Sequence, residues 1–473
     1  MKKIFFVLLA LPIALMSCNS DDSDDNPIPA EGPSTFTVTI ENVSEPHTFY
    51  QSGLAAIPVG ATQPGSIEPG GAYEFNFTAA ARILPDGQTP KFSFLTMFVQ
   101  SNDLFFAPNE QGIALYDSEN NPIGSPAPVN VTSQVLLWDA GTEVNEVTGG
   151  PNQKLQQDAT AGQTDAEDIG MDENGVISLI VNNTDGINTL PAVSAVIKVT
   201  ISYLGNNTFK ALIENVSTGT TISIPFSDPT ATGPVPMSPV LWGVHLGTSP
   251  FFSTGASATE GVENIAEDGA AAAMLVSATA NTGVVIPLSP GVWATHNSGV
   301  TPLFALGAPE SGNGLEAVAE DGDPVALGNF LEALSTVSNS GVFNTAQGAS
   351  ETGAIGPGQT FSFTFDASPG ERLSLATMFV QSNDWFYSFP DGGISLFNGT
   401  AAATGDVTSD ISLYDCGTEV DQFPGSGPDQ VIRQSTLNTG AADANTNIRI
   451  VSNAPSIVPT NPGDVIKVTI TAL

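Results

Sequence analysis

An eight-residue string, Thr-Met-Phe-Val-Gln-Ser-Asn-Asp, occurs twice in this chain, at 96–103 and at 377–384. A repeat of this length indicates a duplicated structural unit, so both copies are expected to adopt the same fold. Each copy is followed by an Asp-x-Gly-Thr-Glu motif, which begins 36 residues later in the first half (139 − 103) and 31 residues later in the second (415 − 384). The sequence therefore predicts two related modules with carboxylates at matching positions.

Short segments in which apolar and polar residues alternate fill both halves of the chain. Clear cases are 36–40, 73–77 and 92–99, and the last two have counterparts at 361–365 and 373–380. Alternation with a period of two predicts strands that bury one face, and the Gly, Pro and Asn clusters between them are typical of turns. We expect a mainly β protein with two antiparallel β-sandwich modules in tandem and short helices in the second module.

The repeats place module one at 35–203 and module two at 205–473. Module two contains a segment that module one lacks, and contains it in two copies, at about 234–283 and 285–337. Each copy carries a Trp-x-x-His motif and then a Glu-Asp-Gly motif; the four aromatic and imidazole residues are Trp242, His245, Trp293 and His296. After the Glu-Asp-Gly motif, the first copy contains an alanine-rich run and the second contains an amphipathic stretch that begins at Asp323-Pro324, so a helix is predicted in each.

The N-terminus has the pattern of a secretion signal. Lys2 and Lys3 precede a 13-residue apolar run at 4–16, which is too short for a permanent membrane span. The segment Leu-Met-Ser-Cys that ends at Cys18 resembles the lipobox of bacterial lipoproteins, which implies cleavage after residue 17 and acylation of Cys18. Ordinary signal cleavage beside an incidental cysteine is the alternative.

The residues that follow Cys18 are acidic and rich in proline, so we interpret 18–34 as a flexible tether. An acidic stretch at this place resembles the surface-export signal of some Gram-negative lipoproteins. The expected location is the outer membrane, exposed at the cell surface, and the periplasmic face is the alternative. With Cys18 acylated, Cys416 would be the one cysteine left, which excludes an intramolecular disulfide.

The charge of the chain excludes some partners. Its formal net charge is −38, which becomes −40 once Lys2 and Lys3 are removed with the signal, and nine Lys and Arg residues remain. Nucleic-acid binding requires clustered cations, so it is not expected. Contact with a membrane is expected only through the N-terminal lipid, and the expected partner is an extracellular protein or a glycan.

Together these motifs resemble the spondin domain. The resemblance rests on Ser-Asn-Asp followed by Leu or Trp and then Phe, on Trp-Asp-Ala-Gly-Thr-Glu, and on a closing Val-Ile-Lys-Val-Thr-Ile strand. It implies an antiparallel β-sandwich that binds one calcium ion, Ca²⁺, at its edge in each module. Carried over by motif, the implied ligands are Asp103, Asp139 and Glu143 in the first module and Asp384, Asp415 and Glu419 in the second.

Each of these residue sets also has a simpler explanation. Asp and Glu commonly cap turns, and six carboxylates at turns do not by themselves require a metal, although oxygen ligands suit calcium. Trp242, His245, Trp293 and His296 could form acid–base or metal sites, but buried, hydrogen-bonded histidines are the more common case. No basic residue lies near Cys416 in the sequence to activate its thiol.

The motifs of common enzyme classes are absent from the sequence, which shows no nucleophile elbow, HExxH pair, phosphate loop or Cys/His zinc cluster. We therefore expect a lipid-anchored, calcium-binding adhesion or interaction module rather than an enzyme. Two alternatives stay open: a carbohydrate-active or other hydrolase on the same scaffold, and a structural surface-coat protein.

Overall fold

The computed structural model describes residues 32–80, 89–158, 170–248 and 250–473. The predicted signal peptide (1–17), Cys18 and most of the predicted tether (18–34) lie outside the described residues. The described chain is mainly β, as the sequence predicts. In these parts of the chain no helix is long and apolar enough to cross a membrane.

The first half of the described chain contains these strands: β1 Ser34–Asn42, β2 Phe49–Ala55, β3 Ala72–Thr78, β4 Lys91–Met97, β5 Leu104–Pro108, β6 Ile113–Ala114, β7 Val129–Asn130, β8 Val135–Asp139, β9 Ser178–Leu179, β10 Ile197–Gly205 and β11 Thr208–Asn215. The second half contains these: β12 Ile222–Ser223, β13 Thr232–Gly233, β14 Val240–His245, β15 Leu288–Asn297, β16 Val337–Phe343, β17 Thr360–Ala367, β18 Glu371–Phe379, β19 Trp385–Ser388, β20 Ile394–Ser395, β21 Phe397–Asn398, β22 Ala401–Ala402, β23 Gly405–Asp406, β24 Ser412–Asp415, β25 Arg449–Ile450 and β26 Ile466–Ala472.

The described helices are short. The α-helices are α1 Lys154–Asp158, α2 Glu260–Asp268, α3 Ala272–Ala280, α4 Leu315–Asp321 and α5 Val325–Ala333, and single 3₁₀ turns lie at Thr132–Gln134, Val193–Ala195, Thr408–Asp410 and Pro462–Asp464. Helices α3 and α5 confirm the two helical stretches that the sequence predicts. The Asp323 carboxylate, two residues before α5 begins, accepts a hydrogen bond from Val325 N at 2.9 Å.

Four antiparallel sheets form two sandwiches of matching topology. In one, the sheet β3-β11-β10-β7 faces the sheet β2-β14-β4-β5-β8-β9, with β6 beside β4. In the other, β17-β1-β26-β23 faces β16-β15-β18-β19-β24-β25, with β20 beside β18. Large aromatic and branched side chains fill the space between facing sheets. Helices α2 and α3 cover the outer face of one large sheet, and α4 and α5 cover the other.

The strand pairing corrects the predicted module boundary. Strand β1 belongs to the sandwich that contains β17 and β26, and it lies between those two strands. Strands β11 and β14 belong to the other sandwich. Strand β11 pairs with β3 and β10, and β14 pairs with β2 and β4. The division into 35–203 and 205–473 is therefore wrong, since it assigns interior strands to the wrong sheets. The sequence pattern shows which face of a strand is buried but does not identify its partner.

The same pairing corrects the position of the duplicated segment. Its first copy, with α2 and α3, completes the first sandwich, and its second copy, with α4 and α5, completes the second. Each sandwich thus has one Trp-x-x-His strand and one helix pair, and the prediction of two copies within one module is wrong. The helices lie where the sequence predicts them along the chain, but those of the first copy pack on the other sandwich.

One sandwich is inserted into the other. Residues 47–283 form the inserted sandwich, and 32–46 with 284–473 form the outer sandwich. The inserted segment enters and leaves at one place, where Phe49 N donates to Asn281 O at 3.0 Å and Gly283 N donates to Phe49 O at 2.9 Å. Relative to the outer sandwich, the inserted one is circularly permuted, because the counterparts of β1 and β15 come last in it.

Matching hydrogen bonds support this equivalence of strands. Asn42 at the end of β1 donates its side-chain amide to Ile286 O at 2.8 Å and to Ile355 O at 2.9 Å. Asn215 at the end of β11 donates to Ile67 O and Val235 O at the same two distances. Both asparagines lie in an Ile-Glu-Asn-Val-Ser string, at 40–44 and 213–217, and both satisfy buried carbonyls at the join between sheets.

The insertion predicts which fragments fold. A chain of residues 47–283 and a chain in which 46 is joined to 284 by a short glycine linker should each melt cooperatively, because each retains every strand of its sandwich. The fragments 35–203 and 205–473 should not, because they lack β11 and β14 or β1 from the interior of their sheets. Circular dichroism melting and proteolysis measure this. Cooperative melting of the 35–203 fragment would contradict the strand assignment.

Candidate functional site

The two repeated aspartates lie at equivalent turns, Asp103 between β4 and β5 of the inserted sandwich and Asp384 between β18 and β19 of the outer one. In the inserted sandwich, Ser101 fixes this turn by donating its hydroxyl to Phe98 O at 2.6 Å and accepting from Leu104 N at 3.0 Å. Ser382 makes the same two bonds in the outer sandwich, at 2.7 and 3.0 Å. The turn directs Asp103 and Asp384 inward, and both residues are fully buried.

The Asp-x-Gly-Thr-Glu turn wraps around each buried aspartate. Asp103 Oδ2 accepts hydrogen bonds from Thr142 N at 3.1 Å and Glu143 N at 3.3 Å. Asp384 Oδ2 accepts from Thr418 N at 3.0 Å and Glu419 N at 3.1 Å. The motif residues that are far apart in sequence are therefore brought together, because one carboxylate oxygen organises the backbone of the other motif.

Glycine is required inside this turn. Gly141 and Gly417 have φ angles of +65° and +72°, a region that other residues rarely adopt. A Cβ atom would also lie 2.7 Å from Val176 N at the first position and 2.9 Å from Asn445 O at the second. The turn packs against a neighbouring loop at a distance that only glycine permits, so its shape is fixed by that loop.

The first aspartates of the turns, Asp139 and Asp415, are bonded to protein groups at both oxygens. Asp139 accepts from Gly141 N at 2.8 Å and from the Asn145 amide at 3.0 Å. Asp415 accepts from Gly417 N at 2.7 Å, and its Oδ2 lies 2.5 Å from Arg449 Nη2. Of the six residues predicted as ligands, Asp139 and Asp415 therefore stabilise the turn through their own hydrogen bonds.

Other carboxylate oxygens in the same region are buried without a hydrogen-bond partner. They are Asp103 Oδ1 in the inserted sandwich, and Asp384 Oδ1, Glu419 Oε2 and Glu320 Oε2 in the outer one. Glu419 accepts from Gly440 N at 2.7 Å through its other oxygen. A buried acceptor without a donor is costly, so these atoms fit a ligand that the protein itself does not supply.

Glu320 is not among the ligands that the motif resemblance implies. Glu320 lies near the C-terminal end of α4, is almost fully buried, and repels Glu419 and Asp384 electrostatically. Glu267, its counterpart in α2, likewise acts on Asp103. The signal was the repeated Ala-Glu-Asp-Gly at 266–269 and 319–322, but the docking of the helix ends against the aspartate turns is not visible in a sequence.

Burial and mutual repulsion raise the pKa of several carboxyl groups here. Burial, followed by the charge of Asp415, raises the pKa of Asp384 to about 7, and burial with nearby acids raises the pKa of Glu320 to about 8. The pKa of Asp103 is also well above its ordinary value, because of burial and then Asp139. Burial, then Asp421, raises the pKa of Asp415 to about 6. Full ionisation of these carboxyl groups is therefore unfavourable in the folded protein.

As positioned, the side chains do not form a closed metal cage. Among the described residues, no group of three or more His, Cys, Asp or Glu side chains is close enough together to hold a metal ion. The donors are nevertheless all oxygens, four of them buried and unpartnered, which suits a hard cation. Asp103, Glu143 and Glu267 in one sandwich and Asp384, Glu419 and Glu320 in the other are the residues that could hold it.

The two tryptophans are core residues. Trp242 stacks on Phe75 with ring centroids 5.1 Å apart, and Trp293 stacks on Phe363 at 5.0 Å. Both lie between the sheets of their sandwich. Burial of such a ring contributes roughly 1.5–3 kcal/mol to stability, so packing explains these positions without a ligand.

The two histidines are buried and fully bonded. His245 Nδ1 lies 2.9 Å from Gly247 O and its Nε2 lies 2.9 Å from Ser93 Oγ. His296 has the same arrangement with Asn297 O at 3.0 Å and Ser374 Oγ at 2.9 Å. A carbonyl can only accept, so Nδ1 carries the proton and Nε2 accepts from the serine. Burial lowers the pKa of His245 to about 4, which keeps it neutral.

Cys416 follows Asp415 in the outer turn and is fully buried. Burial, and then the charge of Asp384, raise the pKa of its thiol. Its packing among the residues of the outer helix layer makes it a small core side chain.

No family model matches the chain, and no curated protein matches it.

The raised pKa values predict how the stability of the metal-free protein depends on pH. The folded-state pKa values of Asp384 and Glu320, about 7 and 8, lie above their ordinary values of 3.8 and 4.5. Protonation therefore favours the folded state, so their contribution is lost as the pH rises through 7 to 8. In chelator, the melting temperature of the outer sandwich should fall as the pH rises from about 5 to 8, where the unfolded chain has lost these protons and the folded chain still holds them, and should level off above pH 8.

The matched control is the double variant Asp384→Asn, Glu320→Gln, which keeps the shapes and removes the charges. Its melting temperature in chelator should be higher than that of the unmodified chain at pH 8.5 and should change less across the window. An equal fall in both proteins would show that the general negative charge of the chain, rather than this cluster, causes the effect.

Proposed function

We propose that each sandwich binds one calcium ion where the aspartate turn, the Asp-x-Gly-Thr-Glu turn and the end of a helix meet. The observation that supports this most is the set of buried, unpartnered carboxylate oxygens, Asp103 Oδ1, Asp384 Oδ1, Glu419 Oε2 and Glu320 Oε2. Calcium prefers six to eight oxygen ligands, and these carboxylates with backbone carbonyls and water supply that chemistry. The spondin-like motifs point in the same direction.

In this proposal the ion acts as a structural clamp. When bound, calcium would neutralise carboxylates that now repel one another. Asp384 would hold the ion from the sheet and Glu320 from the end of α4, so the helix layer and the sheet would be joined. Asp139 and Asp415 would keep the turn in shape through their bonds to Gly141 N and Gly417 N. The expected result is a rigid, acidic loop region at the edge of each sandwich.

A rigid loop edge on a stable sandwich is suited to recognition, since binding surfaces are commonly loops fixed by a scaffold. We therefore propose an adhesion or interaction module, exported and anchored through Cys18, that binds an extracellular protein or glycan. The lipobox-like segment and the acidic tether support the anchor and the surface location. The spondin resemblance supports adhesion by analogy, because a fold alone does not define a function.

Calcium should bind twice to the chain and stabilise it. At a hundredfold excess over the dissociation constant, linkage gives about 2.7 kcal/mol per site. For a domain of this size that corresponds to a rise in melting temperature of roughly 5–10 °C. Calorimetric titration of the chain with Cys18→Ser, and melting curves with calcium or chelator, measure this.

Asp384→Asn should abolish one binding event and leave the other. The control is Asp228→Asn, which changes an exposed turn aspartate and should leave two events. Two unchanged events in Asp384→Asn, or none in the unmodified chain, would contradict the proposed site.

The interaction role has a separate test. The immobilised chain should retain a limited set of glycans or extracellular matrix proteins in calcium and release them in chelator, and the double variant Asp103→Asn, Asp384→Asn should not retain them. Turnover in a panel of glycoside and ester substrates would instead favour the hydrolase alternative. Calcium binding without any retained partner would favour a structural coat protein.

A further inference from the structure

A groove of about 550 Å³ opens in the helix layer of the outer sandwich. Its floor contains the buried side chains of Phe304 and Ile448, and one wall is formed by Phe330 of α5 and by Leu334 just after that helix. The proposed calcium ligands are not among the described residues that line it. A volume of this size is typical of a binding site, so the groove is a candidate for recognition that is separate from the calcium region.

The groove is formed before any partner binds. The ring of Phe304 packs with its centroid 5.4 Å from that of Phe386 and 5.0 Å from that of Tyr414, which fixes the floor on the sheet. Gly307 N donates to Ile448 O at 2.9 Å, which attaches the loop that borders the groove to the end of the sheet. A preformed surface loses little conformational entropy when it binds, which favours affinity.

The groove combines an apolar surface with one fixed negative charge. Glu310 is the one charged residue among the described residues that line it. Its two carboxylate oxygens accept from Gly312 N at 2.7 Å and from Asn313 N at 3.1 Å, so the charge is held in place. The Asn313 amide is used within the protein, because it donates to Leu303 O at 2.7 Å and accepts from Leu315 N at 3.0 Å. Each carboxylate oxygen can still accept one further hydrogen bond.

The fold does not require these features. Helix α3 covers the inserted sandwich with nine residues, as α5 does the outer one. Counted from the repeated Ala-Glu-Asp-Gly motif, an offset of 53 (319 − 266), the counterpart of Phe330 is Ser277. Counted from the repeated Phe-x-x-Gly motif, an offset of 52 (304 − 252), the counterpart of Glu310 is Ala258. A helix can therefore cover the sheet with a serine at this position, so the 38 % exposure of Phe330 is better explained by binding than by packing.

The charges indicate what kind of partner fits. Beside Glu310, the Asp391 carboxylate accepts from Leu306 N at 3.1 Å, and the whole chain has a formal net charge of −38. An anionic glycan or phospholipid headgroup would be repelled, whereas a cation would be attracted. A neutral sugar needs several polar partners for its hydroxyl groups, but the Asn313 amide is already bonded at both ends. A protein segment with an apolar side chain beside a cation matches both parts of the groove.

We propose that this groove binds a segment of an extracellular protein in which a large apolar side chain lies close to a lysine or arginine. The apolar side chain would pack between Phe304 and Phe330, and the cation would bond to the Glu310 carboxylate. The inference adds a second recognition surface to the proposed interaction role. Because the groove does not use the calcium ligands, binding there should persist in chelator.

The test uses a display library of random twelve-residue peptides, selected in chelator on the immobilised chain with Cys18→Ser. The selected peptides should be enriched in a large apolar residue within two positions of Lys or Arg. A synthetic peptide from this set should bind about tenfold more weakly to Phe330→Ser, since an aromatic anchor is lost, and about fivefold more weakly to Glu310→Gln. Fluorescence polarisation measures each dissociation constant.

Two further variants control for general effects. Val276→Ser replaces an exposed apolar residue of α3 outside the groove and should leave the peptide affinity within twofold. Glu310→Lys should reverse the selection, so that acidic residues replace Lys and Arg beside the apolar position. Melting curves in chelator, which should match that of the unmodified chain, show whether a variant has lost binding by losing its fold.

Absence of enriched peptides, or affinities within twofold of the original in both Phe330→Ser and Glu310→Gln, would overturn the inference. Neutral glycans retained on an array by the unmodified chain but not by Phe330→Ser would overturn it in favour of a sugar ligand. A partner retained only in calcium and unaffected by Phe330→Ser would place recognition at the calcium-dependent loops, which overturns the groove and leaves the proposed function intact. Peptide binding in the groove of a chain that does not bind calcium would have the opposite meaning.

Discussion

A carboxylate buried away from water requires compensation, and two such groups, Asp103 and Asp384, lie at the centre of this structure. One oxygen of each is satisfied by the backbone of a turn that comes more than thirty residues later in the chain. That bond fixes the Asp-x-Gly-Thr-Glu turn against the strand end, and the turn positions Glu143 or Glu419. The second oxygen has no partner. The proposal of a cation site rests on this asymmetry between the two oxygens.

The architecture explains why both aspartate turns have the same surroundings. Because the inserted sandwich obtains its Trp-x-x-His strand and helices from 208–283, each aspartate turn faces the end of a helix that carries a glutamate. A simple tandem arrangement divided at 204 would leave one site without its helix. The shared entry and exit point at Phe49 and Gly283 allows a whole sandwich to be placed between β1 and β15 without disturbing the outer sheets.

The sequence predicted the mainly β fold class correctly, because strands are recognised from a short-range pattern. Alternation along 92–99 indicates a strand whatever it pairs with, and the repeat identifies Asp103 and Asp384 as equivalent. The assignment of β1 to the outer sandwich, and of β11 and β14 to the inserted one, was not predictable in this way. The Ile-Glu-Asn-Val-Ser strings at 40–44 and 213–217 show that β1 and β11 are equivalent. However, β1 pairs with β17, which lies more than a hundred residues away, whereas β11 pairs with β10, its neighbour in the sequence. Glu320 was missed for the same reason, since it approaches Asp384 from a helix 64 residues earlier (384 − 320).

A crystal structure of the chain grown in calcium chloride, with anomalous diffraction used to locate the ions, would show directly whether calcium binds at the two aspartate turns. We expect two peaks, one in contact with Asp103 Oδ1 and the other with Asp384 Oδ1, Glu419 Oε2 and Glu320 Oε2. Crystals in which these oxygens are bonded to protons, water or protein donors, with no calcium at either turn, would contradict it. The Asp-x-Gly-Thr-Glu motif would then be a turn that stabilises the strand ends.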